Sequence, residues 1–231
     1  MISFLSKHKR AIFTVVVVVF IGSIFFVSGQ VFTAASSEAV ADVGGKKIPY
    51  QRFIQQVNRM LANFKDSGTE VSDVISKSVK QEVFREMVIE ELLSQQGAKM
   101  AMRVPDFEVA VEIQNTPQFA ENGAFNPRLY YSTIFNEFQM SPGDYEAWRK
   151  KARLAGKFKQ FLYTNVKVTP GELKGYYLSK NKSLKDFDKN KDKYLDELSK
   201  DKFSQVANYL LRQLTVQMEI KSYLAEREQG K

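Results

Sequence analysis

The sequence predicts an all-α protein: one N-terminal transmembrane helix, then a multi-helix domain that opens on a small β-hairpin and ends in a long C-terminal helix. Three observations predict it. A run of 27 uncharged residues, Ala11–Ser37, stands directly behind the basic cluster Lys7, His8, Lys9 and Arg10. After Tyr50, apolar residues recur at helical spacing in one segment after another, and most segments open on a capping residue or a proline. Short strand-like runs appear only around Gly44-Gly45, and no strand pattern follows Ile48.

The first element is the anchor. A helix needs about 20 mostly apolar residues to cross the hydrocarbon core of a bilayer. Ala11–Phe32 meets that length, with Thr14, Ser23, Ser28 and Gln30 as tolerated exceptions. Lipid imposes helix even on the β-branched stretch Val15–Val19, because every backbone group must pair internally. The basic cluster holds Met1–Arg10 in the cytoplasm by the positive-inside rule, which puts everything after Ser37 on the far side. The competing reading is a cleaved signal peptide with Thr33-Ala34-Ala35 at the processing site. Signal h-regions run about 7–15 apolar residues, and this run is longer, which favours a retained anchor. Both readings export the rest of the chain.

Val40–Val43 and Lys46–Ile48 flank Gly44-Gly45 and read as a hairpin with a primed turn. Tyr50, Phe53, Ile54, Val57, Met60, Leu61 and Phe64 form the stripe of the next helix, and a longer one follows over about Asp73–Met100. Pro105-Asp106 opens a short helix that ends at Asn115-Thr116-Pro117. Phe119 and Phe125 bracket a turn at Gly123. Asn126-Pro127 and Ser141-Pro142-Gly143-Asp144 start two helices, the second reaching about Tyr163. Thr169-Pro170-Gly171-Glu172 is a capping box that opens a helix through Tyr177. Asn181–Lys193, dense in Lys and Asp, reads as a solvated turn or linker, and Tyr194–Glu228 as the last helix. The resulting division is 1–37 for tip and anchor, 38–179 for the main domain, 180–193 for a charged linker and 194–231 for the C-terminal helix.

Composition narrows the chemistry. The absence of cysteine excludes disulfides, thiolate zinc sites and thiol nucleophiles, and an exported domain of this kind suits a bacterial envelope. The one histidine, His8, precedes the anchor, so the exported domain has no imidazole for base, triad or metal work. Net charge is +8, of which Lys7, Lys9 and Arg10 supply three. The remaining basic residues are interspersed with acidic ones and match no nucleic-acid module, so nucleic acid is not an expected partner. Asp186, Asp188, Asn190 and Glu197 match four positions of a calcium-binding loop, but Lys191 stands where the loop needs glycine, and the solvated reading is preferred. Carboxylate pairs such as Glu90-Glu91 lack apolar shielding in the sequence and read as solvated, and no phosphate-cradling or nucleophile-elbow motif appears. No catalytic residue, cofactor or metal is expected.

Eight aromatic residues cluster within thirty positions: Phe119, Phe125, Tyr130, Tyr131, Phe135, Phe138, Tyr145 and Trp148. Aromatic stripes at helical spacing usually pack inward. The alternative is a concave apolar surface that binds exposed hydrophobic segments, and these eight are its candidate residues.

The stretch VPDFEVAVEIQNTPQFAENGAFNPRLYYSTIFNEFQMSPGDYEAWRKKARL, behind the hairpin VADVGGKKI and the helix YQRFIQQVNRM, resembles the SurA-like N-terminal chaperone domain family. Asp106, Pro117, Phe119, Gly123, Phe125, Tyr130, Ser141, Asp144, Tyr145 and Arg149 carry the likeness, which covers about Val40–Tyr177. With its cytoplasmic tip and anchor, the arrangement is similar to that of PpiD-type inner-membrane folding factors. The resemblance implies a membrane-anchored periplasmic chaperone. Unfolded or nascent exported polypeptides would be its partners; the apolar run adds membrane lipid along Ala11–Phe32, and the adaptor reading adds the translocon. The resemblance further implies that the C-terminal helix packs back to complete the module. Where the family commonly has glycine after the long second helix, this chain has Ala101. The parvulin isomerase domain that often follows finds no room after Tyr177, so chaperone binding carries over and isomerase activity does not. An adaptor of a translocon or envelope complex, and an isomerase-like protein with residual activity, are the alternative readings.

Overall fold

The computed structural model describes residues 39–181 and 183–229; the expected anchor lies outside them. Among the described residues no helix is long and apolar enough to cross a membrane. The fold is predominantly helical. Strand β1 (Ala39–Val43) turns at Gly44-Gly45 into β2 (Lys46–Pro49). Both glycines have positive φ, +58° and +81°, as a primed turn demands. Helix α1 (Tyr50–Asp66) follows directly, then α2 (Asp73–Lys99), capped by the Ser72 hydroxyl, which accepts from the Ile75 amide.

The middle of the chain is a run of short elements. Helix α3 (Asp106–Gln114) leads through a 3-10 turn at Pro117–Phe119 to the two-residue strands β3 (Ala120–Glu121) and β4 (Ala124–Phe125). Asn126 caps α4 (Pro127–Thr133), its side chain accepting from the Arg128 and Leu129 amides. The helix then widens into a π turn, Ile134–Phe138. Ser141 caps α5 (Pro142–Asn165), and the Thr169–Glu172 capping box opens α6 (Pro170–Lys180).

The C-terminal region differs from the sequence expectation. Helix α7 runs from Phe187 to Gln217. Phe187–Lys193 is therefore helical, because its Lys and Asp side chains project into water from a helix that needs no apolar face there. The helix also stops before Glu228, giving way to β5 (Ile220–Ser222) and the short α8 (Leu224–Glu228). Strand β5 pairs antiparallel with β1, making a three-stranded sheet of order β2-β1-β5. Strands thus occur after Ile48 both here and at β3–β4.

Two cores result. The first lies under the sheet and joins Val40, Val43, Phe53, Val83 and Leu92 to Leu214 and Met218 from the returning C-terminal region. The second joins Val104, Ile113, Phe119, Tyr130, Ile134, Phe138 and Tyr145. Burying a large apolar side chain completely stabilises by roughly 1.5–3 kcal/mol, so these two clusters dominate the fold. Helices α2 and α5 pack side by side and link them. Their approach is close at Gly97, where a Cβ would stand 3.3 Å from a Leu154 methyl.

Candidate functional site

The eight aromatic candidates divide according to helical phase. Tyr130, Ile134 and Phe138 follow one another at four-residue steps and are buried. Tyr131 and Phe135 sit one step round and are 56% and 76% exposed. Phe119, wholly buried, receives Tyr130 and Tyr145 edge-on at ring distances of 5.1 and 5.9 Å. Tyr145 in turn meets Phe138 at 4.9 Å and Trp148 at 5.5 Å. Phe125 and Trp148 are half-buried at the edge of this cluster. Of the candidate client-contact residues, Phe119, Tyr130, Phe138 and Tyr145 lie in the core, each at 5% exposure or less. Tyr131 and Phe135 remain exposed.

Three guanidiniums surround the Trp148 ring, Arg52 at 4.9 Å, Arg149 at 5.2 Å and Arg59 at 5.9 Å. Arg52 is tied to Glu90 at 2.7 Å, and Arg149 donates through Nε to Glu112 at 2.7 Å. Arg59 instead lies 4.1 Å over the Phe138 ring and has no carboxylate within bonding distance among the described residues. Burial pulls the Arg52 and Arg59 guanidiniums below their usual range and pushes the Tyr130 and Tyr145 phenols above theirs. The Tyr130 hydroxyl donates to Glu146 at 3.1 Å, which ties α4 to α5.

Arg59 also lines an open groove of about 1000 Å³ that runs along the outer face of α1, facing Gln118, Glu137 and Gln139. Gln139 is shared with a second hollow of about 710 Å³ formed by Tyr131, Phe135, Met140 and Pro142. The groove and the hollow that holds the exposed aromatic pair therefore meet at Gln139. Gln139 itself has φ +49° and ends the π turn that carries Phe135.

The sequence reading did not single out the α1 side of the groove. The signal was present: YQRFIQQVNRMLANFKD carries a high density of carboxamides on its outward face. The calcium-like spacing comes to nothing structural, since Asp188, Asn190 and Glu197 lie along helix α7 instead of folding into a loop. Among the described residues, no group of three or more His, Cys, Asp or Glu side chains is placed to hold a metal ion.

A family model described as the SurA-like N-terminal domain matches residues 1–159. No curated protein matches the chain.

Proposed function

Because the chain belongs to the SurA-like N-terminal domain family, we propose that it is a chaperone that holds unfolded or newly translocated polypeptides without chemistry of its own. The fold is of chaperone type. The observation that carries the reading further is the exposed pair Tyr131 and Phe135 in the hollow that meets the α1 groove, with flexible Met140 beside them. Large apolar groups left in water beside an open groove are what a binder of exposed hydrophobic segments presents. Clients of varied sequence cannot be matched closely, so binding is weak and multi-site.

The finer reading is an anchored one. The uncharged run Ala11–Ser37 tethers the module on the periplasmic side of the inner membrane, as in PpiD-type factors. Tethering raises the effective concentration of a weak binder where polypeptides emerge. The test is aggregation of a chemically unfolded protein in the presence of the full chain in lipid discs, without nucleotide. Suppression at a few-fold molar excess is expected. Unchanged aggregation at that excess would overturn the chaperone reading.

A further inference from the structure

We propose that the α1 groove takes an extended polypeptide by its main chain, with the groove's carboxamides as the reading groups. The inference rests on the chaperone reading and names what that site recognises. Half of the residues lining the groove are Asn or Gln, among them Gln51, Gln55, Asn58, Asn63, Gln118 and Gln139. A carboxamide offers both donors and an acceptor and carries no charge, the same chemistry as a peptide group. Of these six, only Gln118 has its side chain engaged among the described residues, donating to Glu137 at 2.6 Å.

Arg59 is the second, independent pointer. Its guanidinium is stacked on Phe138, half-buried and without an anionic partner at bonding distance among the described residues. The guanidinium carbon stands 4.1 Å from the centre of the Phe138 ring, and Arg59 lines the groove with its N–H donors taken up by no carboxylate among the described residues. Those donors suit a row of carbonyl oxygens, which accept without requiring a formal charge.

The dimensions agree. The groove runs from Tyr50 to Asp66 along α1, about 24 Å at the helical rise. An extended chain covers that distance in about seven residues. Other occupants fit less well. Asp66 and Glu137 in the lining repel a polyanion, and an acyl chain would leave the groove's free carboxamides without hydrogen-bond partners. Reading the main chain gives a binder that ignores client sequence, while Tyr131 and Phe135 in the adjoining hollow add a preference for apolar side chains.

The experiment uses the full chain and two fluorescein-labelled twelve-residue peptides of alanine, serine and valine that differ only in the main chain. One is an ordinary peptide and the other has esters in place of alternate amides, which removes donors without changing side chains. Fluorescence anisotropy is expected to show at least tenfold weaker binding of the ester peptide. The triple variant Gln51→Leu, Gln55→Leu, Asn58→Leu is expected to lose the same factor for the ordinary peptide, with its thermal unfolding unchanged. Equal binding of the two peptides overturns the main-chain reading and leaves the chaperone reading standing. Failure of the chain to bind either of them or to suppress aggregation removes both. The ester comparison uses the wild-type chain, so it decides the matter even if the triple variant does not fold.

Discussion

Glu91 on α2 and Lys151 on α5 form an ion pair in which the carboxylate, expected from the sequence to be solvated, is almost wholly buried, at 2% exposure. Gln95 donates from the same side-chain nitrogen to Glu91 at 2.7 Å and to the Val43 carbonyl at 2.8 Å. One carboxylate thus holds together both central helices and the sheet. Lys151→Met leaves that carboxylate buried without its cation and is expected to cost about 3 kcal/mol. The double variant Glu91→Leu, Lys151→Met is expected to recover most of that loss, because two apolar groups need no desolvated charge. Urea unfolding of the two variants checks it; equal losses in both would mean that the pair is not the source of the effect.

Ala101 has φ +58° and sits just past the end of α2. The Met102 amide donates to the Gly97 carbonyl and the Ala101 amide to Ala98, at 3.0 and 2.9 Å, which is a complete left-handed helix stop. Alanine is strained in this conformation and glycine is not. Ala101→Gly is expected to raise stability by about 1 kcal/mol, the strain relieved less the added freedom of the unfolded chain. A rise in the urea midpoint at unchanged slope is the readout.

Phe119 and Phe135 lie sixteen residues apart and are opposites in burial, at 0% and 76% exposure. Phe119→Ala is expected to destabilise by about 3–5 kcal/mol through the cavity it leaves. Phe135→Ser is expected to change stability by less than about 0.5 kcal/mol and to weaken suppression of client aggregation several-fold. Full retention of suppression by Phe135→Ser would exclude the exposed aromatic pair from the client surface.

Glu172 closes the α6 capping box and also accepts from Lys202 on α7 at 2.8 Å. The Lys202 bond, followed by the Thr169 amide and hydroxyl, holds its carboxyl down at about 2. A depressed carboxyl binds fewer protons folded than unfolded. Its contribution is therefore full above the ordinary carboxylate range and fades as pH falls through that range toward 2. Hydrogen-exchange protection in Pro170–Lys180 is expected to fall over that interval. Glu172→Gln should start lower and stay flat.

Where local chemistry decides structure, the sequence was readable. Gly44-Gly45, Asn126-Pro127, Ser141 and Thr169–Glu172 each create or satisfy one defined backbone need, and each does so in the fold. Strand β5 was hidden because Ile-Lys-Ser has no pattern of its own and becomes a strand only against β1. The π turn was hidden because Ile134–Phe138 continues a helical stripe. The aromatic cluster was visible as a cluster, but Tyr130 and Tyr131 are chemically identical neighbours. Only the packing of Phe119 and Tyr145 on one side decides which of the two is buried. The carboxamide face of α1 was overlooked because neutral polar residues on a helix look like ordinary surface until another element stands opposite them.

The pairing of β1 with β5 joins Val43 to Ile220. About 180 residues separate those partners, and at typical synthesis rates of about 5–20 residues per second they are made on the order of 10–40 s apart. Val40, Ala41 and Val43 share the first core with Phe53, Val83 and Leu92, and only Leu214 and Met218 complete it. The newborn chain therefore carries an incomplete first core until Leu214, Met218 and Ile220 are made. A protein read here as a keeper of unfinished polypeptides passes through the same condition in its own biogenesis.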